Sequence, residues 1–463
     1  MIALTLAEIA AITGGAPPEP RELTVTGPVV IDSRRAEPGS LFAALPGERA
    51  DGHDYAPAAA ANGAVAMLGT RSAPGLPTVV VPDVTAALAA LAHGVLGRLP
   101  AASVVGITGS SGKTSTKDLA GQLVERLGPA IAPEGSFNNE LGLPLTVLRA
   151  DESTRYLVLE MAARGPGHIA ALCEIAPPQI GAVLNVGRAH AGEFGSIEGV
   201  AKAKGELPEA LPADGVAILN ADDPRVSTMA DRTRARVVRF GAAGEFRAAD
   251  VTLDDLGRAS FRLVTPDGSA PVTLRLYGAH HVANALAAAA IAAELGMGTA
   301  DIADALSAAT ARSKKRMELH ERPDGVLVVN DAYNANPDSM KAAIEALAHM
   351  TGGGRGARRG IAVLGHMAEL GDIDAASHAE AGRLAARAGV AALVAVGDDA
   401  RPVLDGARAD ARWKGEAIAV PDPQAALTAI RNVLGPGDVV LVKASKAAGL
   451  WEVADGLLAE TDR

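Results

Sequence analysis

Ser103-Val104-Val105-Gly106-Ile107-Thr108-Gly109-Ser110-Ser111-Gly112-Lys113-Thr114 passes from an apolar, β-branched run through a turn of small residues into a helical pattern. A strand that feeds a helix through such a turn is the building unit of a parallel sheet with helices on both faces. Glycines let the backbone curl so that successive N–H groups face one anion, and the helix N-terminus adds a favourable dipole. In that frame Gly109, Ser110, Ser111 and Gly112 cradle phosphates, Lys113 reaches the terminal ones, and the Thr114 hydroxyl coordinates Mg²⁺. The common P-loop spacing wants Gly where this chain has Ile107, so Gly106 and Gly109 are expected to stand in for it. No Asn-Lys-x-Asp string follows, which favours ATP over GTP, and the loop lacks the Gly-x-Gly-x-x-Gly spacing of dinucleotide sites.

Downstream of this unit, short β-branched runs alternate with helical stretches. Strands are expected at Ser103–Thr108, Tyr156–Glu160, Ile180–Val186 and Val216–Asn220, followed by a more polar strand-like region from Val251 to Leu276. Helices are expected over His280–Leu295 and Asp301–Ala311. The doubly wound pattern then restarts, with strands at Val326–Asn330, Ile361–Leu364, Ala391–Val396, Ala417–Val420 and Asp438–Val442. Upstream of Ser103 lies a separate block with turns such as Glu37-Pro38-Gly39 and Leu45-Pro46-Gly47. The expected class is α/β in three domains: a small α/β N-terminal domain over 1–99, a central P-loop, parallel-sheet ATPase domain over 100–312, and a C-terminal Rossmann-like domain over 313–463.

The bulk properties narrow the function. A chain of 463 residues is too long for one ordinary domain. Its net charge of −11 argues against a nucleic-acid binder held by phosphate contacts, and an aromatic share of 3% leaves few stacking platforms for single strands. Val282–Leu295 is alanine-rich but short and interrupted by Asn284 and Glu294, so no membrane span is expected. The single Cys173 cannot form an internal disulfide, and Met1–Gly15 does not read as a signal peptide, which points to the cytoplasm.

Ligands of an open parallel sheet collect at the carboxyl ends of its strands. Glu160 closes the run Leu157-Val158-Leu159, and His190 follows Val186 by four residues, so both are expected to face the phosphate loop. Glu160 reads either as a metal-binding carboxylate or as a cap for the next helix, and His190 either as a ligand or as an ordinary loop histidine. A set of Thr114, Glu160 and His190 suits Mg²⁺ and admits Mn²⁺. Lys202 and Lys204 lie in a helical stretch, Gly199–Glu206, and by themselves read as solvated lysines. Arg355, Arg358 and Arg359 read as part of a solvated loop, and the arginines at 225, 232, 234, 236 and 239 as a surface element.

Taken together, the motifs resemble the Mur ligases, ATP-dependent amide-forming enzymes of peptidoglycan precursor synthesis. The likeness covers nearly the whole chain: Asp32-Ser33-Arg34, Pro38-Gly39-Ser40-Leu41-Phe42 and Asp51-Gly52-His53, then Thr108–Thr114. Asn138-Asn139 with Gly142-Leu143-Pro144, Leu159-Glu160-Met161 and His190 with Gly195–Gly199 continue it. Gly278-Ala279-His280-His281-Val282-Ala283-Asn284 follows. The string Asn330-Asp331-Ala332-Tyr333-Asn334-Ala335-Asn336-Pro337-Asp338-Ser339-Met340 resembles the branch that adds D-alanyl-D-alanine to UDP-N-acetylmuramoyl-tripeptide.

The resemblance implies that the first domain holds the uridine nucleotide part of the substrate, the central domain ATP and two Mg²⁺ ions, and the third the incoming amine. It implies substrate contacts from Ser33, Arg34, Asp51, His53, Asn138, Asn139, Tyr333, Asn334, Asn336 and Ser339. Asn284, Arg316 and Asp331 would join the loop around the nucleotide. Lys113, His190 and a carbamylated Lys204 would serve catalysis, in a chain acting as a monomer. The chain departs from the family pattern at His281, where Asn is usual, at His366, where Asp is usual, and at Ala444 and Lys446, where Gly and Arg are usual.

The chemistry has a physical logic. Joining a carboxylate to an amine in water is uphill, so the carboxylate must be activated and water kept out. Attack of the carboxylate on the γ-phosphate would give an acyl phosphate and ADP, and the amine would then displace phosphate. Lys113 and the metal ions offset the meeting of two anions. A P-loop switch without bond formation explains Lys113 and Thr114 but not the Asn330–Met340 string. A folylpolyglutamate synthase-like enzyme explains the loop and metal residues but fits Asp32-Ser33-Arg34 poorly.

Overall fold

The computed structural model describes residues 1–47, 50–133, 135–187, 194–352 and 358–459. The sharp β-branched runs become two all but entirely parallel sheets. In the central sheet the strand order is Arg236–Phe240, Val216–Asn220, Ile180–Val183, Ser103–Thr108, Tyr156–Glu160, Ala130–Ile131, all parallel. The phosphate-loop strand is internal, as its apolar sequence requires of a strand buried on both faces. The third sheet runs Glu318–Glu321, Leu327–Asn330, Val439–Lys443, Gly360–Gly365, Ala392–Val396, Glu416–Val420, with only Glu318–Glu321 antiparallel. The first domain carries a small parallel sheet of Val29–Val30, Ser40–Ala43, Ala64–Gly69 and Thr78–Val80. The three-domain α/β architecture expected from the sequence is therefore present.

Several element boundaries differ from the expected ones. The strand expected over Ile180–Val186 ends at Val183, because Asn185 turns its side chain onto the phosphate loop and Asp223 takes the Val186 N–H at 2.7 Å. The region 251–276 becomes three antiparallel strands, Arg247–Leu253, Arg258–Thr265 and Gly268–Tyr277. They close over the alanine-rich helix His281–Glu294, in which residues 285–292 are all buried and the alanines among them are small enough to let the sheet approach. The next helix ends at Ala308 rather than Ala311. The expected helix 199–206 starts earlier, at Ile197 behind the Ser196 N-cap, and stops at Lys204. Arg236–Phe240, read from sequence as a surface element, is the edge strand of the central sheet, with Val238 and Phe240 buried beneath its arginines.

The first domain is less separate than its turn-rich sequence implies. One apolar cluster runs without a break from Ile2, Leu4 and Ile9 through Leu88, Leu91 and Val95 to Leu143, Val147 and Leu159 of the central domain. The Ile2 N–H donates to the Ala150 carbonyl at 3.2 Å across the same boundary. Apolar burial of this kind is the main favourable term in folding, so the two units stabilise one another. No helix among the described residues is long and apolar enough to cross a membrane.

Candidate active site

The phosphate loop sits where the central strand Ser103–Thr108 hands over to the helix Lys113–Val124. Gly112 caps that helix at φ +81°, a conformation that disfavours other residues, and a Cβ there would lie 2.5 Å from Asn284 Oδ1. Gly112→Ala is therefore expected to lower stability by about 1–2 kcal/mol through left-handed strain alone. Urea denaturation of the purified variant checks it. Gly109 is equally confined, with the Leu184 Cβ 2.9 Å from a Cβ built on it. Gly106 is a correction to the sequence reading: it lies inside the strand and makes room for Met161 and Leu207, so it takes no part in the loop.

The loop is held from below by Asn185, whose Oδ1 accepts the Ser111 N–H at 2.9 Å and whose Nδ2 donates to the Ser111 carbonyl at 3.1 Å. Ser110 Oγ accepts the Gly187 N–H at 2.8 Å. Lys113 is half-buried, and its ammonium donates to the Gly109 carbonyl at 2.7 Å. Burial holds its pKa below the ordinary lysine value against the pull of Glu160, with Arg316 adding repulsion.

Thr114 Oγ1 donates to Glu160 Oε2 at 2.8 Å, and Asn138 Nδ2 donates to Glu160 Oε1 at 2.7 Å. Glu160 is 2% exposed at the end of its strand. It faces the phosphate loop and accepts from Thr114 and Asn138, so it does not serve as a helix cap. The cluster offers hydroxyl and carboxylate oxygens beside a phosphate loop, a donor set that fits a hard divalent cation such as Mg²⁺. His190, the third expected ligand, lies outside the described residues, as does Arg355.

Two residues not singled out in the sequence complete this corner. Ser136 Oγ lies 3.3 Å from Thr114 Oγ1 and accepts a hydrogen bond from the Arg316 guanidinium at 2.9 Å. Lys117, 1% exposed, donates to the Pro133 carbonyl at 2.6 Å and pairs with Asp118 at 2.5 Å, which fixes the segment leading to Ser136 and Asn138. Asp118 in turn accepts the Ser313 N–H at the entry to the third domain. Only the rule that ligands gather at strand ends could have flagged Asn185; Ser136 and Lys117 carry no local sequence signal.

The third domain closes the other side. Asp331 pairs with the buried ammonium of Lys443 at 2.6 Å and accepts the Met317 N–H at 3.0 Å. The Arg316 guanidinium lies 4.4 Å from the Tyr333 ring centroid, with the Lys446 ammonium farther off at 5.9 Å. Asn336 Nδ2 reaches the Ser110 carbonyl of the phosphate loop at 3.4 Å, and Asn336 and Ser339 cap the start of the helix that follows. His280 and His281 lie with ring centroids 4.2 Å apart. Burial drives both toward the neutral form, His280 to about 4.

One cavity of about 550 Å³ is lined from both domains. It brings together Ser110, Ser111, Gly112, Lys113, Thr114, Asn138 and Glu160 with Asn284, Arg316, Asp331, Tyr333, Asn334, Asn336 and Ser339. Asn139 is not among its walls; its Oδ1 accepts the Gly142 N–H and so starts the next helix. Lys204 is 5% exposed, which overturns its reading as a solvated lysine, whereas Lys202 is exposed on the other face. Burial, and then repulsion by Lys113, hold the Lys204 pKa well below the ordinary lysine value.

The first-domain residues are not part of this cavity. Arg34 is exposed and held by Asp32: its guanidinium donates at 2.9, 3.2 and 2.7 Å and its backbone N–H at 3.0 Å, and these bonds lower the Asp32 pKa to about 2. Ser33 is buried beside it. His53 is 2% exposed, with Nδ1 2.5 Å from Asp51 and Nε2 accepting the Thr70 N–H at 3.0 Å. Both ring nitrogens are thus engaged within the domain, and His53 holds Asp51 in place.

Comparison with known proteins follows this division. The model of the Mur ligase middle domain matches residues 107–292, that of the Mur ligase glutamate ligase domain residues 315–446, and that of the Mur ligase family catalytic domain residues 28–95. A UDP-N-acetylmuramoyl-tripeptide–D-alanyl-D-alanine ligase of Mycobacterium tuberculosis is 50% identical, over 99% of this chain and 98% of the relative. Its namesake in Escherichia coli is 36% identical over 99% of both chains. Among solved structures, MurF from Acinetobacter baumannii superimposes with a TM-score of 0.87 at 31% identity over 99% of both chains. MurF from Thermotoga maritima in complex with ADP gives 0.80 at 30% identity, over 95% of this chain and 98% of that one.

Proposed function

The chain belongs to the Mur ligase family, and from that membership we propose that it joins D-alanyl-D-alanine to UDP-N-acetylmuramoyl-tripeptide, with ATP converted to ADP and phosphate. It is an ATP-dependent amide ligase of the MurF type. The observation that carries the reading is the single cavity in which the phosphate loop and Glu160 meet the Asn330–Met340 string, tied by the Asn336 contact to Ser110.

The residues divide the work as follows. The loop N–H groups and Lys113 hold the γ-phosphate while the tripeptide carboxylate attacks it to form an acyl phosphate. Thr114, Glu160 and His190 would hold Mg²⁺, with a carbamylated Lys204 supporting a second ion, and the metal charge offsets the approach of two anions. Arg316, Asp331 and Asn284 line the nucleotide side, and Tyr333, Asn334, Asn336 and Ser339 the amine side. Asn138 positions Glu160. Closure of the third domain on the loop keeps water from the acyl phosphate. A cytoplasmic, monomeric enzyme with domains over 1–99, 100–312 and 313–463 is the arrangement we propose.

The direct test measures ADP and phosphate release with all three substrates and with each omitted in turn. Release that continues unchanged without the dipeptide or without the nucleotide peptide argues for a switch or a different ligase.

Ser33, Arg34 and Asp51 are proposed to receive the uridine nucleotide. Because Asp32 already orients the Arg34 guanidinium, little side-chain freedom is lost when it meets an anion. Arg34→Ala is expected to raise the KM for the nucleotide peptide about 10- to 100-fold, the loss of one charge-assisted hydrogen bond, with the KM for ATP unchanged. Steady-state kinetics on the full chain is the appropriate measurement, since the first domain shares its core with the second.

A further inference from the structure

The helix Lys113–Val124 carries a second pair of ionisable side chains one turn beyond the phosphate loop. Lys117 and Asp118 follow Lys113 and Thr114 by four residues each, so they continue the same two rows of the helix, and both are buried. The Lys117 ammonium has three protons, and three oxygens receive them: Asp118 Oδ1 at 2.5 Å, the Pro133 carbonyl at 2.6 Å and the Gly135 carbonyl at 3.3 Å. Asp118 Oδ2 accepts the Ser313 N–H at 3.0 Å. An ammonium saturated in this way has no proton left for a substrate, so Lys117 acts on the chain around it.

What it holds is the approach to the corner formed by Thr114 and Glu160. Ser136 follows Gly135 directly, with its Oγ 3.3 Å from Thr114 Oγ1 and accepting from Arg316 at 2.9 Å. Two residues farther on, Asn138 donates to Glu160 Oε1 at 2.7 Å, and its carbonyl accepts the Ala162 N–H at 3.0 Å. None of the residues 135–140 is buried, and Phe137 among them is 42% exposed, so apolar packing does little to fix this stretch. Hydrogen bonds fix it instead, and those of Lys117 are its upstream anchor. For stability alone a buried ion pair is a poor device, because desolvation offsets much of the attraction and a packed apolar pair of similar size does as well. An apolar side chain could not, however, hold two backbone carbonyls in place.

We propose that Lys117 is a positioning residue for the metal-binding corner: by holding Pro133 and Gly135 it places Ser136 beside Thr114 and Asn138 against Glu160. This rests on the ligase reading above and on Thr114 and Glu160 as metal ligands, and it deepens both. Asp118 is the counter-charge that lets the ammonium lie buried, and through Ser313 it ties the same helix turn to the entry of the third domain. Partners that orient metal ligands in this way contribute to metal affinity although they never touch the ion.

The test uses the full-length enzyme. Lys117→Met alone would leave a buried carboxylate without its counter-charge, so the variant is Lys117→Met with Asp118→Asn, whose amide oxygen still accepts the Ser313 N–H. The Mg²⁺ concentration that half-saturates turnover should rise about 10- to 100-fold, the range for losing an outer partner of a metal ligand, and excess Mg²⁺ should restore most of the turnover. Calorimetric titration with ADP, once in saturating Mg²⁺ and once in EDTA, gives a readout apart from activity. The metal-free affinity should stay within about twofold of the parent while the extra affinity conferred by Mg²⁺ shrinks. Adding Asn138→Ala should raise the Mg²⁺ requirement by less than the sum of the separate effects, because both changes act on Glu160. A folded double variant with the parent's Mg²⁺ requirement overturns the proposal. Equal weakening of ADP with and without metal does so too, as the mark of a merely structural role, and so does full additivity with Asn138→Ala. Should the double variant fail to fold, Lys117→Gln, one bond shorter and with two donors in place of three, is read in the same way. A parent whose turnover and ADP affinity are both indifferent to Mg²⁺ overturns instead the reading of Thr114 and Glu160 as metal ligands.

Discussion

Lys113→Ala is expected to fold like the parent protein and to turn over at least about 10²- to 10³-fold more slowly, the usual cost of deleting one preorganised electrostatic donor. The ammonium already lies within its loop at 2.7 Å from the Gly109 carbonyl, half-buried and with its charge disfavoured by desolvation. A desolvated cation is costly at rest and effective against phosphate charge, because the same low dielectric strengthens both terms. Its removal should therefore leave thermal stability unchanged or slightly raised while phosphate release collapses. Lys113→Arg is not expected to rescue activity, since the planar fork cannot replace a compact ammonium at the start of a helix whose Gly112 cap has no room to shift. Circular dichroism with a phosphate-release assay checks both. A folded Ala variant with near-normal turnover would remove the basis for the phosphate-loop assignment.

The phosphate loop was legible in the sequence because its physics is local. Gly112, Lys113 and Thr114 act through a backbone conformation and a helix start set by adjacent residues, and the strands Ser103–Thr108, Tyr156–Glu160 and Val216–Asn220 match their apolar runs residue for residue. What could not be read depends on contacts between distant segments. Glu318-Leu319-His320-Glu321 looks too polar for a strand, and it forms one only as an antiparallel edge beside Leu327–Asn330, where one side remains open. The arginines of Arg236–Phe240 hide an edge strand for the same reason. Gly106 was read as part of the loop because spacing alone does not reveal that Met161 and Leu207 press against it. The shared core of the first two domains was hidden because turn-rich composition reports on connections, not on the face that Leu88, Leu91 and Val95 present to Leu143 and Val147. Among the site residues, Ser136 and Lys117 gain meaning only when the chain brings Pro133 and Ser136 against the phosphate-loop helix.

Lys204 is expected to be essential when Lys202 is not, and the burial of the two explains the asymmetry. The helix Ile197–Lys204 is fixed at its start by Ser196, whose Oγ accepts the Gly199 N–H at 3.0 Å. At its end Arg232 donates to the Ala201 and Lys202 carbonyls at 3.2 and 2.9 Å. That orientation exposes Lys202 and buries Lys204 where Lys113 repels it. Because the folded pKa of Lys204 is depressed, the unfolded chain binds more protons between that pKa and the ordinary lysine value. An unmodified Lys204 therefore costs stability at neutral pH, and the cost fades as pH rises toward the unfolded value. Lys204→Met should accordingly melt at a higher temperature than the unmodified parent at pH 7 while losing activity. The depressed pKa also supplies the neutral amine that can add to CO₂, giving a carbamate and releasing a proton, which turns a repelled cation into an anion suited to a site for two metal ions. Lys204→Ala leaves space for a short carboxylic acid to take the place of that carbamate, so its low activity should be partly restored by added acid, and that of Lys204→Met should not. Lys202→Ala should retain most activity. Full activity in Lys204→Ala without added acid would show that the buried amine is only a structural burden, and essential Lys202 would place the functional face of this helix on its exposed side.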